Sequence, residues 1–194
     1  MNLEDHPTVK RLRAAELSSG PAAARRPFGA GELRQLALEC GADDVGFVEI
    51  GRFELEPQRD EILRHYPWTR SLVSIVVKMA QAPVRGTPRS VANLEFHRAG
   101  HDTNAICAAI VARLQDHGIR AVNPSMGFPM EMNQNPGHAI WIVAHKPVAV
   151  AAGLGRMGIH RNVIHPKFGN FILLGTVLLD QDIDVPDAPI DYHP

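Results

Sequence analysis

Ala152-Gly153-Leu154-Gly155-Arg156-Met157-Gly158 fits the pattern G-x-G-x-x-G, and the residues after it decide the fold. A dinucleotide-binding turn needs a helix that starts inside the motif and an acidic residue about 20 positions on. Asp180 supplies the acid. No helix follows, because β-branched Val163 and Ile164 come next, and then Pro166 and Gly169. The glycines therefore end one element and open a loop. That leaves three uses for them: a dinucleotide site, a purely structural turn, or a loop moulded around another bulky, phosphate-bearing cofactor.

Working outward, Val163-Ile164 and Phe171–Leu179 read as strands flanking a Pro166–Gly169 turn. Upstream, a short Ala-rich helix begins near Pro147 and stops at Gly153, preceded by a strand at Ala139–Ala144. Ser71–Val77 is nearly all apolar and β-branched, as in a central strand covered on both faces. Val45–Ile50 is a shorter strand, and Gln58–His65 a helix that ends before Pro67. Leu33, Leu36, Ala37 and Cys40 form one helical stripe, closed by Gly41.

A long helix is expected from about Thr103 to His117, capped by Asp102 or Thr103 and ended by Gly118. Its apolar stripe is Ile106, Ala109, Ile110 and Leu114, with Cys107 flanking. Gln81–Gly100 reads as polar and irregular. Asn123–Gly137, with three prolines and three methionines, reads as a long ordered loop of the kind that often binds ligands. Helices and strands alternate without a βαβ rhythm, which favours α+β over a doubly wound sheet. Residues 1–30 read as a mobile arm with a peripheral helix at Val9–Leu17, and 181–194 as a linker.

The chain has 194 residues, 45% hydrophobic and 21% charged, as expected for one globular domain. Twenty Lys and Arg against 21 Asp and Glu give a net charge of −1, so no overall pull toward nucleic acid or anionic lipid follows. No apolar run approaches the roughly 18 residues of a membrane span. Arg25-Arg26 is not followed by an apolar export segment, so a cytoplasmic location is expected. Cys40 and Cys107 alone cannot make a disulfide framework or an iron–sulfur cluster. His97 and His101 are one helical turn apart, but no third ligand stands nearby, so no metal site is assigned. His138, His145, His160 and His165 crowd the glycine segment, where a histidine can act as general acid near neutral pH.

The glycine run, then Ile164-His165-Pro166-Lys167-Phe168-Gly169 and Leu174–Asp180, resembles the cobalamin-binding domain of epoxyqueuosine reductases and their reductive-dehalogenase-like relatives. His145-Lys146 resembles a His-Lys pair of ferredoxin-containing members. Weaker likenesses lie at Gly41–Gly46, Trp68–Val73 and Phe96–Asn104, so the resemblance spans roughly Glu32–Pro194. It implies a nitroreductase-like α+β fold, a mixed sheet flanked by helices, with a cobalamin-binding domain over residues 31–180. It also implies a corrinoid held without a histidine on cobalt. A pair of 4Fe–4S clusters would belong to a ferredoxin-type domain, in cis after the 181–194 linker or in trans. The implied substrate is a small molecule such as an organohalide, or a modified tRNA base carrying an epoxide.

The cofactor-binding residues implied are Phe96, His97, Met130, Lys146, Gly153, Leu154, Gly155, Arg156, Met157, Gly158, His160, Phe168 and Gly169. Catalytic roles are implied for His138 and His145. The chain departs from the family pattern in three places. Arg156 stands where Trp is common, Ile159 where Lys is common, and Ala139 near the place of the proton-donating aspartate, with His138 beside it. Two other functions fit the same residues: a cobalamin carrier or sensor that never turns over, and a flavin-dependent, nitroreductase-like oxidoreductase.

Overall fold

The computed structural model describes residues 6–11, 27–127 and 141–193. Met130, His138 and the first two residues of the strand expected at Ala139–Ala144 lie outside the described residues. So does most of the helix expected at Val9–Leu17, whose residues 9–11 belong to a helical stretch over 7–11.

Helix α1 (Ala30–Glu39) carries Leu33, Leu36 and Ala37 to the core, and Gly41, at φ 109°, turns the chain out of it. Strand β1 (Asp44–Glu49) follows, then a single 3₁₀ turn and α2 (Glu56–His65), which starts with Pro57 in its first turn. Strand β2 (Ser71–Lys78) is buried along seven of its eight residues. Helices α3 (Gln81–Arg85) and α4 (Arg89–Asp116) come next, and then β3 (Ala121–Val122). Helix α5 (His145–Ala151), the hairpin strands β4 (Arg156–Met157) and β5 (Val163–Ile164), and β6 (Ile172–Leu179) complete the fold.

The main sheet has the order β1-β2-β6-β3. Every pairing in it is antiparallel, so the mixed sheet expected from the resemblance is not what the described residues form. Alternation along the strands separates two cores. Val73, Ile75, Val77, Val177 and Leu179 face α1 and α4, whereas Leu72, Val76, Leu174 and Leu178 face α2 and α5. Both faces are covered, which is why β2 reads as an unbroken apolar run. Each large apolar side chain buried there contributes about 1.5–3 kcal/mol.

Three elements differ from the sequence reading. Gln81–Gly100 is helical apart from the turn at 86–88, and the long helix begins after Pro88, not at Asp102 or Thr103. The buried line on α4 is Glu95, Ala99, Thr103, Cys107, Ile110 and Leu114, so its first half is polar in composition. The Glu95 carboxylate accepts hydrogen bonds from Arg98 and from the Ala80 amide, and the Thr103 hydroxyl donates to the Ala99 carbonyl. These bonds satisfy groups that hydropathy alone would leave in water. Cys107 therefore lies at the centre of the line, and Ala109 faces solvent. Finally, residues 141–144 do not form a strand.

The segment expected as a linker runs along the domain as a strap. Gln181 exchanges two hydrogen bonds with the backbone of Phe28, and Asp184 accepts from the Ala30 amide at the start of α1. Asp187 bonds both backbone groups of Phe47 on edge strand β1, and its carboxylate accepts from Arg34. No helix of the described residues is long and apolar enough to cross a membrane.

Candidate functional site

The first turn of α5 places His145 and Lys146 side by side, and the two reach in opposite directions. The His145 Nδ1 lies 2.9 Å from Thr176 Oγ1 on β6, and Nε2 lies 3.2 Å from the Ser125 carbonyl. A carbonyl only accepts, so Nε2 carries the proton and Nδ1 accepts from the threonine hydroxyl. Burial pushes the imidazole pKa down, which keeps this neutral tautomer near neutral pH. Thr176 pairs across the sheet with Ser74, whose buried hydroxyl oxygen has no partner.

Lys146 extends the other way, to the hairpin. Its Nζ donates to the Arg161 carbonyl (2.9 Å) and to Asn162 Oδ1 (2.8 Å). At the other end of α5 the helix comes down on β1 at Gly46, where a Cβ would stand 2.2 Å from the Ala152 carbonyl oxygen. Only glycine permits that approach.

The glycines themselves are packed against the chain's own atoms. A Cβ on Gly153 would stand 2.5 Å from the Ala188 carbonyl of the strap, and one on Gly155 would stand 2.4 Å from the Ile164 carbonyl. At Gly158 it would meet the His160 ring at 2.6 Å. Gly153 (φ 73°) and Gly155 (φ 156°) also hold backbone conformations that side chains disfavour. Leu154 between them is buried with Ala149, Val163 and Ile172. The open surface is the hairpin beyond. There Arg156, Met157, His160 and Arg161 are exposed, and Ile159 stands fully in solvent at the tip.

At the far end of β5, His165 is buried and bonds Asp44 at 3.0 Å through Nε2, while Nδ1 accepts from the amides of Lys167 and Phe168. The His165 and Phe168 rings stack at 4.8 Å, and Gly169 closes the turn at φ 62° with open space beside it. Phe96 and His97 are exposed on α4 with their rings edge to face. No hydrogen bond or ring contact joins them to the hairpin. A hollow of about 450 Å³ lies between α1 and α4, lined by Phe28, Glu32, Leu36, Glu39, Arg113 and His117, and none of the expected site residues borders it. Among the described residues no group of three or more His, Cys, Asp or Glu can hold a metal ion.

Sequence reasoning missed Ser125, Thr176, Ile159, Arg161 and Asn162. One signal was available: from Met132 to Leu179 there is no Asp or Glu, against four Lys and Arg and four His. In a chain with 21 acids, that run marks a segment that brings no carboxylate of its own, and its acidic neighbours come from other elements, Asp44 at His165 and Asp191 at His193 beside Arg156.

No family model and no curated protein matches this sequence. Its fold is shared with solved reductases of the two kinds that the sequence resembles. The catabolic reductive dehalogenase NpRdhA superposes with a TM-score of 0.64 at 18% identity, over 89% of this chain and 24% of that one. Epoxyqueuosine reductase from Bacillus subtilis gives 0.57 at 17%, over 84% and 48%. An epoxyqueuosine reductase solved with an epoxyqueuosine-modified tRNA-Tyr stem loop gives 0.55 at 18%, over 83% and 47%. This chain spans about a quarter of the dehalogenase and about half of the epoxyqueuosine reductases.

Proposed function

We propose that this chain is the corrinoid-binding domain of a cobalamin- and iron–sulfur-dependent reductase with a nitroreductase-like fold. The observation that carries the reading is the exposed hairpin that Lys146 braces, which brings no carboxylate of its own, set on a fold shared with a reductive dehalogenase and with epoxyqueuosine reductases. A corrin macrocycle is broad and apolar on its faces, with polar groups at its rim. The residues fit such a group at the hairpin, where Met157 and Ile159 offer apolar contact and His160 polar contact, while Arg156 is held by the Tyr192 carbonyl and His193 Nδ1. They do not fit it at the glycine Cα atoms, which face the strap, β5 and His160. The glycines shape the turn, and the hairpin they launch meets the ligand.

Bound cobalt would supply low-potential reducing chemistry, two electrons for each carbon–halogen or carbon–oxygen bond broken, with 4Fe–4S clusters of a ferredoxin-type domain as their source. Within this chain, Phe168 and Gly169 would bound the ligand on the β5 side, Phe96 and His97 would stand over the opposite face, and Met130 would contribute a further apolar contact. His138 would deliver the proton to substrate. His145, already donating to Ser125, would hold that loop in place and not release its proton. The substrate would be a small molecule or a modified tRNA base.

The test is direct. Mixing the purified chain with cobalamin should shift the cobalt spectrum toward the base-off form, and corrinoid should co-elute on gel filtration. An unchanged spectrum with no retained corrinoid refutes the reading. A yellow chain carrying bound flavin would replace it with the flavin oxidoreductase.

A further inference from the structure

We infer that Lys146 is a positioning residue, one that fixes the shape of the β4–β5 hairpin tip and so the surface that meets the ligand; this rests on the corrinoid reading above. Arg161 is the one non-glycine residue with positive φ (60°) among the described residues, a conformation that a Cβ disfavours. Its own turn gives it two bonds: the Arg161 amide donates to the Gly158 carbonyl at 2.9 Å, and the Gly158 amide donates to the Asn162 carbonyl at 2.8 Å. The N–H of the peptide after Arg161 has only a long bond, from the Asn162 amide to His160 Nδ1 at 3.4 Å, so within the loop that peptide is weakly held. The Lys146 ammonium fixes its orientation, by holding the Arg161 carbonyl and the Asn162 side chain together.

An ammonium normally turns to a carboxylate when one is near. Here both hydrogen-bond partners of Lys146 are neutral oxygens, and the segment 132–179 that carries it holds no acid of its own. Its base is rigid as well, because Val148, Ala149 and Ala151 of the same short helix are buried. The loop held in this way carries Ile159 and His160 outward, with Ile159 fully exposed. Lys146 thus acts on the ligand surface from behind, through the hairpin.

Amide hydrogen exchange on the ligand-free full chain tests this, together with cobalamin titration of the same proteins. Lys146→Met should speed exchange at Gly158 and Arg161 roughly three- to tenfold while leaving β2 and β6 amides unchanged. It should also weaken cobalamin binding several-fold. Adding Arg161→Gly, which makes positive φ free of strain, should restore both toward wild type. Unchanged hairpin exchange in Lys146→Met overturns the inference, and so does faster exchange with an unaltered cobalamin Kd. If wild type retains no cobalamin, the functional reading falls on that result, and the exchange data alone decide whether Lys146 holds the hairpin.

Discussion

Gly175 stands on β6 where α4 comes down onto the sheet. A Cβ there would lie 2.5 Å from Cys107 Sγ and 3.0 Å from Thr103 Cγ2. Burial pushes the Cys107 thiol pKa up to about 12, so this cysteine is a packed side chain and not a nucleophile. Gly175→Ala should therefore cost about 1–3 kcal/mol by overpacking. In chemical denaturation, Gly175→Ala combined with Cys107→Ala should lose clearly less than the sum of the two single changes, because removing Sγ makes room for the methyl. Additive losses would show that the contact is not what demands glycine. The chemistry of His145 was legible from its own identity. Its partners were not, since Ser125 and Thr176 lie 20 and 31 positions away and only the folded sheet brings them to the ring.

Elements whose apolar residues recur at helix or strand spacing were read from the sequence: α1, α2, α5, β1, β2, β5 and β6. The first half of α4 was not, because its buried line passes through Glu95, Ala99 and Thr103, whose burial depends on hydrogen bonds and not on hydropathy. Two-residue β3 carries no periodic signal at all. The Glu95–Arg98 pair sits in the second turn of α4, where Glu95 also accepts from the Ala80 amide ahead of α3, and it holds the Glu95 carboxyl down at about 2. A folded-state pKa below the unfolded one stabilises above the unfolded value, and that contribution is lost as pH falls from about 4.5 toward 2. Glu95→Gln should cost about 2 kcal/mol at pH near 6, as expected for losing charge-assisted bonds. Urea unfolding should show that gap narrowing as pH is lowered toward 3. A gap independent of pH would mean that the carboxylate charge contributes nothing there.

At the scale of the whole molecule, the strap joins the two ends of the fold. Asp187 is its main clasp: it meets both backbone groups of Phe47, the Arg34 guanidinium, and Arg52 through its own carbonyl. Asp187→Ala leaves the Phe47 amide and Arg34 short of acceptors and should cost about 1–3 kcal/mol. Limited proteolysis should then cut residues 181–193 well before the sheet. Equal cutting rates in wild type and variant would show that Gln181 and Asp184 suffice.

The same strap has a mechanical side. Residues 28 and 30, where α1 begins, are fastened to 181 and 184, which follow directly after β6 in the chain. A load pulling residues 27 and 193 apart therefore reaches these clasps before any rung of the sheet. They would part in succession and act as a fuse, sparing the cores on either face of β2 until the clasps have given way.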